Sequence, residues 1–201
     1  MAVKKNYTTE LKLEAFLGGL SIVTAEAEDA INQAITLVDK LTGRNFVADT
    51  TESERLFDGK GKEQLLIDDC ISISEVKVGS DYYGDSKTTL TTTEYIKLPN
   101  NYSAKGFPIS RLHLKNDIWQ TGMQNHSVKA KWGYSLACPD DISFATLVLA
   151  SGMYMFNRGG ASGGVNSESI GNYSVSYENE EGWKNYKRAI SILDGYKKIN
   201  L

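Results

Sequence analysis

The spacing of hydrophobic residues along this chain changes twice, and the changes divide it into a helical, a strand-rich and a second helical stretch. Ala27, Ala30, Ile31, Ala34, Ile35, Val38 and Leu41 recur every three to four positions, which is the pattern of a helix that buries one face. Thr24 is placed to cap it, Glu26, Glu28 and Asp29 suit its positive N-terminal end, and Gly43 supplies a left-handed stop. A shorter helix is expected from Thr9 to Leu17, with Leu13, Phe16 and Leu17 on one face and Gly18-Gly19 ending it.

From Leu56 to Tyr134 the period falls to two. Ile71 and Ile73 alternate with Ser72 and Ser74, and the phase then slips before Val76 and Val78, which predicts a bulge or bend. Leu112 and Leu114 alternate with Arg111, His113 and Lys115, and Val128, Ala130, Trp132 and Tyr134 alternate with Lys129, Lys131 and Gly133. Turn-forming pieces separate these runs at Asp58-Gly59-Lys60-Gly61, Tyr83-Gly84-Asp85-Ser86 and Pro99-Asn100-Asn101. Together they predict an antiparallel sheet with one buried face.

After Pro139 the helical period returns, from Asp140 or Asp141 to about Asn157. Ile142, Ala145, Leu149, Met153 and Phe156 form one stripe; Phe144, Leu147, Val148 and Met155 form another. A helix apolar on two faces is central in its core or shared with a neighbouring subunit. The glycine-rich run from Gly159 to Gly164 reads as a flexible loop, and Tyr173, Val175 and Tyr177 as a short strand or extended arm. Trp183, Tyr186, Ile190, Leu193 and Tyr196 line one face of a C-terminal helix whose end is basic at Lys197 and Lys198. The expected fold class is α+β. Residues 1–55 and 135–201 form a helical core, and residues 56–134 an inserted β-rich lobe.

Composition narrows the function classes. The chain has 201 residues, 41% hydrophobic and 23% charged, with a formal net charge of -3, a balance that disfavours both disorder and tight binding to phosphate backbones. Cys70 and Cys138 are too few for a disulfide framework and read as reduced residues of a cytosolic compartment. The stretch from Ile142 to Phe156 falls short of the roughly 20 apolar residues that span a bilayer, and no apolar run of signal-peptide type is read after Met1-Ala2-Val3-Lys4-Lys5-Asn6.

Candidate chemistry is sparse. His113 and His126 are the only histidines, and no Gly-x-Ser-x-Gly elbow accompanies them. Asp68 and Asp69, adjacent on a strand, point to opposite faces, whereas Asp140 and Asp141 suit a helix start. Gly59-Lys60-Gly61-Lys62 lacks phosphate-loop spacing, and no lysine follows the Gly159 to Gly164 run as such a loop requires. No catalytic residue, cofactor or metal site is expected.

The order of several segments resembles the head–tail connector (adaptor) proteins of tailed bacteriophages, from about Thr24 to Leu201. The segments are Thr42-Gly43-Arg44 with Phe46; Leu65-Leu66-Ile67 leading into Ile73-Ser74-Glu75-Val76-Lys77-Val78; Thr93-Glu94-Tyr95-Ile96; and Val128-Lys129-Ala130-Lys131-Trp132-Gly133-Tyr134. The helix start at Pro139 and Ser167-Glu168-Ser169-Ile170-Gly171-Asn172-Tyr173-Ser174-Val175-Ser176-Tyr177 complete the series.

The resemblance implies a non-enzymatic subunit of a ring, usually twelvefold, lying in the virion neck between the portal and the stopper or tail-completion proteins. Double-stranded DNA would pass its channel without specific binding, and the chain would be made in the host cytoplasm. It also implies portal contact by the C-terminal stretch, where Trp183, Tyr186, Lys187, Tyr196, Lys197, Lys198 and Leu201 are the candidates. Candidates for the subunit interface are Phe144, Leu147, Val148 and Met155 on the second face of the central helix, with Tyr173, Val175 and Tyr177 of the arm. The alternative is a soluble binding module or small hydrolase that uses the β-lobe, with His113 or His126 at its site.

Overall fold

The computed structural model describes residues 6–158, 166–170, 173–177 and 180–198, with 166–170, 173–177 and 180–182 described by backbone alone. In chain order the elements are α1 (Glu10–Phe16), α2 (Thr24–Thr42), β1 (Ser53–Gly59), β2 (Gln64–Gly79), β3 (Lys87–Thr89), β4 (Tyr95–Leu98) and α3 (Tyr102–Lys105). They continue with β5 (Ile109–Leu114), β6 (Gly122–Trp132), α4 (Asp140–Asn157), β7 (Asn166–Ile170), β8 (Tyr173–Tyr177) and α5 (Glu180–Gly195). The fold is α+β. The chain divides into two compact units, Met1–Phe46 with Ala137–Leu201, and Val47–Leu136.

The helical unit is built around α4, which packs against α1, α2, α5 and β8. This accounts for much of its apolar sequence: Ile142, Ala145, Val148, Leu149, Ala150, Met153 and Tyr154 are all buried inside the same unit, while Phe156 is 41% exposed. The expected stripe of α2 is buried from Ala27 to Val38, and Gly43 closes the helix at φ 67° with its N–H on Asp39 O. The start of α2 differs from expectation. Thr24 is the first helical residue rather than the cap, Val23 holds the cap position without a side-chain bond, and the Val23 amide donates to Tyr154 Oη at 3.0 Å. A tertiary hydrogen bond thus fixes the residue before the helix, and no side chain caps its first turn. Likewise Pro139 caps α4, while Asp140 and Asp141 occupy its first turn, where the helix dipole favours carboxylates. Helix α1 begins as read, with Thr9 Oγ1 accepting from the Lys12 amide.

The sheet unit carries its strands in the order β1-β6-β2-β5-β4, with β3 added to β2 and every pairing antiparallel. Strand β2 is sixteen residues long and changes partner midway: Gln64 to Leu66 face β5, and the half beyond Cys70 faces β6. Cys70 pairs with both Ile109 and Trp132. The register slips between Cys70 and Ser72 and again between Ile73 and Glu75, which is the phase change expected before Val76. The buried face joins Leu65, Ile67, Val76, Ile109, Leu112, Trp119, Val128, Ala130 and Trp132 in one cluster.

Strand β6 begins at Gly122, earlier than alternation starting at Val128 suggests. The reason is a run of buried polar residues, Asn125, His126 and Ser127, which gives no hydrophobic period to read. Asn125 Oδ1 accepts from the Gly59 amide at 3.0 Å and its Nδ2 donates to Gln120 O at 2.8 Å. The residue therefore ties the β1 end to the turn before β6, with its polar atoms satisfied as burial requires. Strand β6 stops at Trp132 because Gly133 sits at φ 138° against Ala48, a conformation and approach that exclude a side chain.

Candidate assembly surfaces

The end of α2 and the C-terminal turn are bound together by the residues that carry the Thr42-Gly43-Arg44…Phe46 segment. Arg44 Nε donates to Tyr196 O at 2.6 Å, and the Lys198 amide donates to Thr42 O at 2.8 Å. Phe46 is fully buried, with Tyr7 and Tyr196 edge-on to its ring at 6.0 and 5.4 Å between centroids. Tyr7, which sequence reasoning passed over because it lies in no periodic run, is equally buried. Its hydroxyl donates to Asp39 Oδ1 at 2.6 Å and accepts from the Phe46 amide at 2.6 Å. Burial and the Asp39 carboxylate both push its ionisation well above the ordinary phenol range, so it stays a donor. Tyr7→Phe should cost the helical unit about 2 kcal/mol, measured as a shift in the chemical-denaturation midpoint without a change in slope.

The expected portal-contact residues occupy different environments. Trp183 is half-buried and stacked on buried Tyr186, with centroids 5.3 Å apart, and Lys187 lies exposed over the Trp183 ring at 5.2 Å. Tyr196 is half-buried and donates to Asp141 Oδ2 at 2.9 Å. Lys197 is exposed and paired with Asp194 at 2.7 Å; Lys198 is half-buried. Leu201 and the Gly159 to Gly164 loop lie outside the described residues.

Of the expected interface positions, Val148 is 1% exposed, whereas Phe144, Leu147 and Met155 are half-buried. Arg188 lies over the Phe144 ring at 5.2 Å. Tyr173, Val175 and Tyr177 lie on β8, whose backbone pairs with β7 from Asn166 opposite Tyr177 to Ile170 opposite Tyr173; their side chains are outside the description. The pairing with β7 is a feature that the sequence reading of a lone strand or arm did not contain.

The two histidines occupy different environments. His126 is fully buried edge-on to Trp119, and its Nε2 faces Gln120 O at 3.0 Å. A carbonyl can only accept, so Nε2 carries the proton and Nδ1 is the bare nitrogen. It lies in β6, inside the sheet. His113 Nδ1 is 4.0 Å from Glu63. Among the described residues no cluster of three His, Cys, Asp or Glu side chains is set to hold a metal, and no helix is long and apolar enough to cross a membrane. Cys70 and Cys138 are free thiols, each pushed up to about 12 chiefly by burial, which leaves them protonated and poorly nucleophilic.

Burial also lowers the His126 pKa below its ordinary value. The folded sheet therefore holds the ring neutral, while the unfolded chain binds a proton near pH 6.5. Stability from this site is full above about pH 6.5 and falls as the pH drops toward the depressed folded value. Thermal melts across this range should show the decline, and His126→Gln should flatten it.

No protein-family model matches this chain, and no curated protein matches it in sequence. Its fold is similar to that of chains in solved particle structures. One lies in the neck of an empty GTA particle computed with C6 symmetry, with a TM-score of 0.61 and 9% identity, covering 100% of this chain and 94% of that one. Another lies in the virion of a native gene transfer agent (GTA) particle, with a TM-score of 0.58, 9% identity and the same coverage of both chains. A third, in the neck of a native GTA particle computed with C12 symmetry, has a TM-score of 0.57 at 8% identity, again covering 100% and 94%.

Proposed function

We propose that this chain is a structural subunit of the neck of a tailed, phage-like particle, and within that neck the adaptor ring between the portal and the stopper or tail-completion proteins. The observation that carries the reading is the end-to-end likeness of fold to chains from particle necks, covering 100% of this chain and 94% of the neck chain at a TM-score of 0.61. Cyclic symmetry in those necks supports a ring of identical copies, and twelve is the number we assign. The order of segments from Thr42-Gly43-Arg44 to the Ser167–Tyr177 strands, similar to that of adaptors, supports the finer role.

In this reading the helical unit carries assembly. Portal contact belongs to the C-terminal turn around Tyr196 and Lys197, which Arg44 and Lys198 bind to the end of α2. The net charge of -3 suits a channel through which DNA passes without being held, because phosphate contacts would slow it. The role is structural and not catalytic; His126 serves as an internal tie, its ring closed off from solvent.

The reading is tested by making particles without this chain. Filled heads should accumulate without tails, and supplying the chain in trans should restore tailed particles. Normal tailed particles in its absence would overturn the proposal.

A further inference from the structure

Helix α1 and the loop after it present apolar side chains outward although the unit has a core for them to join. Leu11 is 77% exposed, Leu20 45%, Val23 44% and Phe16 38%. This ridge is held in place rather than left loose. Leu13, on the face of α1 away from Leu11, is fully buried, Thr9 caps the helix, and the Val23 amide is bonded to Tyr154 Oη.

The ridge is also charged in one sense. Between residues 6 and 29 the chain carries Glu10, Glu14, Glu26, Glu28 and Asp29 against Lys12. Glu26 faces Arg158 at 3.5 Å, and on α1 Glu10 and Glu14 lie beside Leu11 against the single Lys12.

The opposite sign lies on another element of the same unit. The exposed stripe of α5 consists of Lys184, Lys187, Arg188, Ser191 and Asp194. Lys187 and Arg188 are held over the rings of Trp183 and Phe144, each at 5.2 Å, so their aliphatic stems and the aromatic edges offer apolar area beside the charge.

We propose that the Leu11–Val23 ridge of one copy packs on the Lys187–Arg188 face of α5 in the next copy, as the seam of the ring. An acidic apolar surface and a basic aromatic surface on different elements of one chain are what a heterologous, head-to-tail contact joins. A contact between two like surfaces would set acid against acid. This seam rests on the neck reading above and deepens it by naming the surfaces. It assigns Lys187 to the neighbouring copy rather than to the portal.

The test is disulfide trapping in intact particles. A chain carrying both Leu11→Cys and Lys187→Cys should give a ladder of multimers on non-reducing gels of purified particles, and each single variant should give none. Particle-borne double variant without a ladder overturns the seam and leaves the neck reading standing. Wild-type chain missing from particles overturns the neck reading, and the seam with it. If the double-cysteine chain fails to enter particles, the charges decide. Glu14→Lys should reduce incorporation and Glu14→Lys with Lys187→Glu should restore it; absence of rescue overturns the seam.

Discussion

Trp132→Ala is expected to destabilise the sheet unit strongly while leaving the stability of the helical unit unchanged. Trp132 is 1% exposed, its Nε1 donates to Ser53 O at 2.9 Å, Phe57 lies 5.9 Å from its ring and the Arg55 guanidinium 4.5 Å above it. Truncation removes the contact of the Trp132 ring with Phe57 and leaves a cavity, for a cost of about 4 kcal/mol. A unit of ninety residues (47–136) has only ~5–13 kcal/mol in total, so the loss takes a third of it or more. Tryptophan fluorescence and near-UV circular dichroism should report the sheet transition at lower denaturant, separately from the helical signal in the far-UV. The same variant separates the roles of the two units at denaturant concentrations where its helical unit alone is folded, because such a chain should still meet its neighbours if assembly resides there.

Gly59→Ala is expected to be comparably severe, although it adds a single methyl group. A Cβ at Gly59 would stand 1.7 Å from Gln120 O and 2.5 Å from His126 Nε2. Both are parts of the buried tie in which Asn125 accepts the Gly59 amide and holds Gln120 O. The nearest atom is backbone, so no rotamer change relieves the overlap. The turn before β6 must move, and Asn125 and His126 lose their partners together. A cost of about 3 kcal/mol follows from overpacking with loss of buried hydrogen bonds. Asn125→Ala should reproduce much of it, and the two changes combined should cost less than their sum because they break the same tie. Equilibrium unfolding of the three variants measures this directly.

These two sites also mark where sequence reasoning succeeds and fails. Trp132 was legible because β6 alternates through Val128 and Ala130, and periodicity survives wherever one face is apolar. The same holds for α2, whose stripe from Ala27 to Val38 is buried as expected, and for the phase slip in β2. Gly59 and Asn125 were not legible. Their importance comes from a close approach between segments 66 residues apart, and a buried Asn looks like a turn residue to any local pattern. The first half of β6 was lost for the same reason. Tyr7 escaped notice because one hydroxyl with two tertiary partners leaves no trace in hydropathy. On α4 the pattern was read correctly, but two apolar faces could equally mean a shared interface or a central position. The packing of α1, α2, α5 and β8 around it buries Ile142, Ala145, Leu149 and Met153 and leaves Phe144, Leu147 and Met155 half-buried. On α1 the stripe of Leu13, Phe16 and Leu17 predicts one buried face, yet Leu13 is fully buried while Phe16 is 38% exposed.

The central claim is that this chain sits in the neck of a particle. Electron microscopy of intact particles labelled with a gold-conjugated antibody against the chain tests it most directly. The account predicts gold at the junction of head and tail, on tailed particles. Chain recovered only from the soluble fraction, with particles unlabelled, would contradict it.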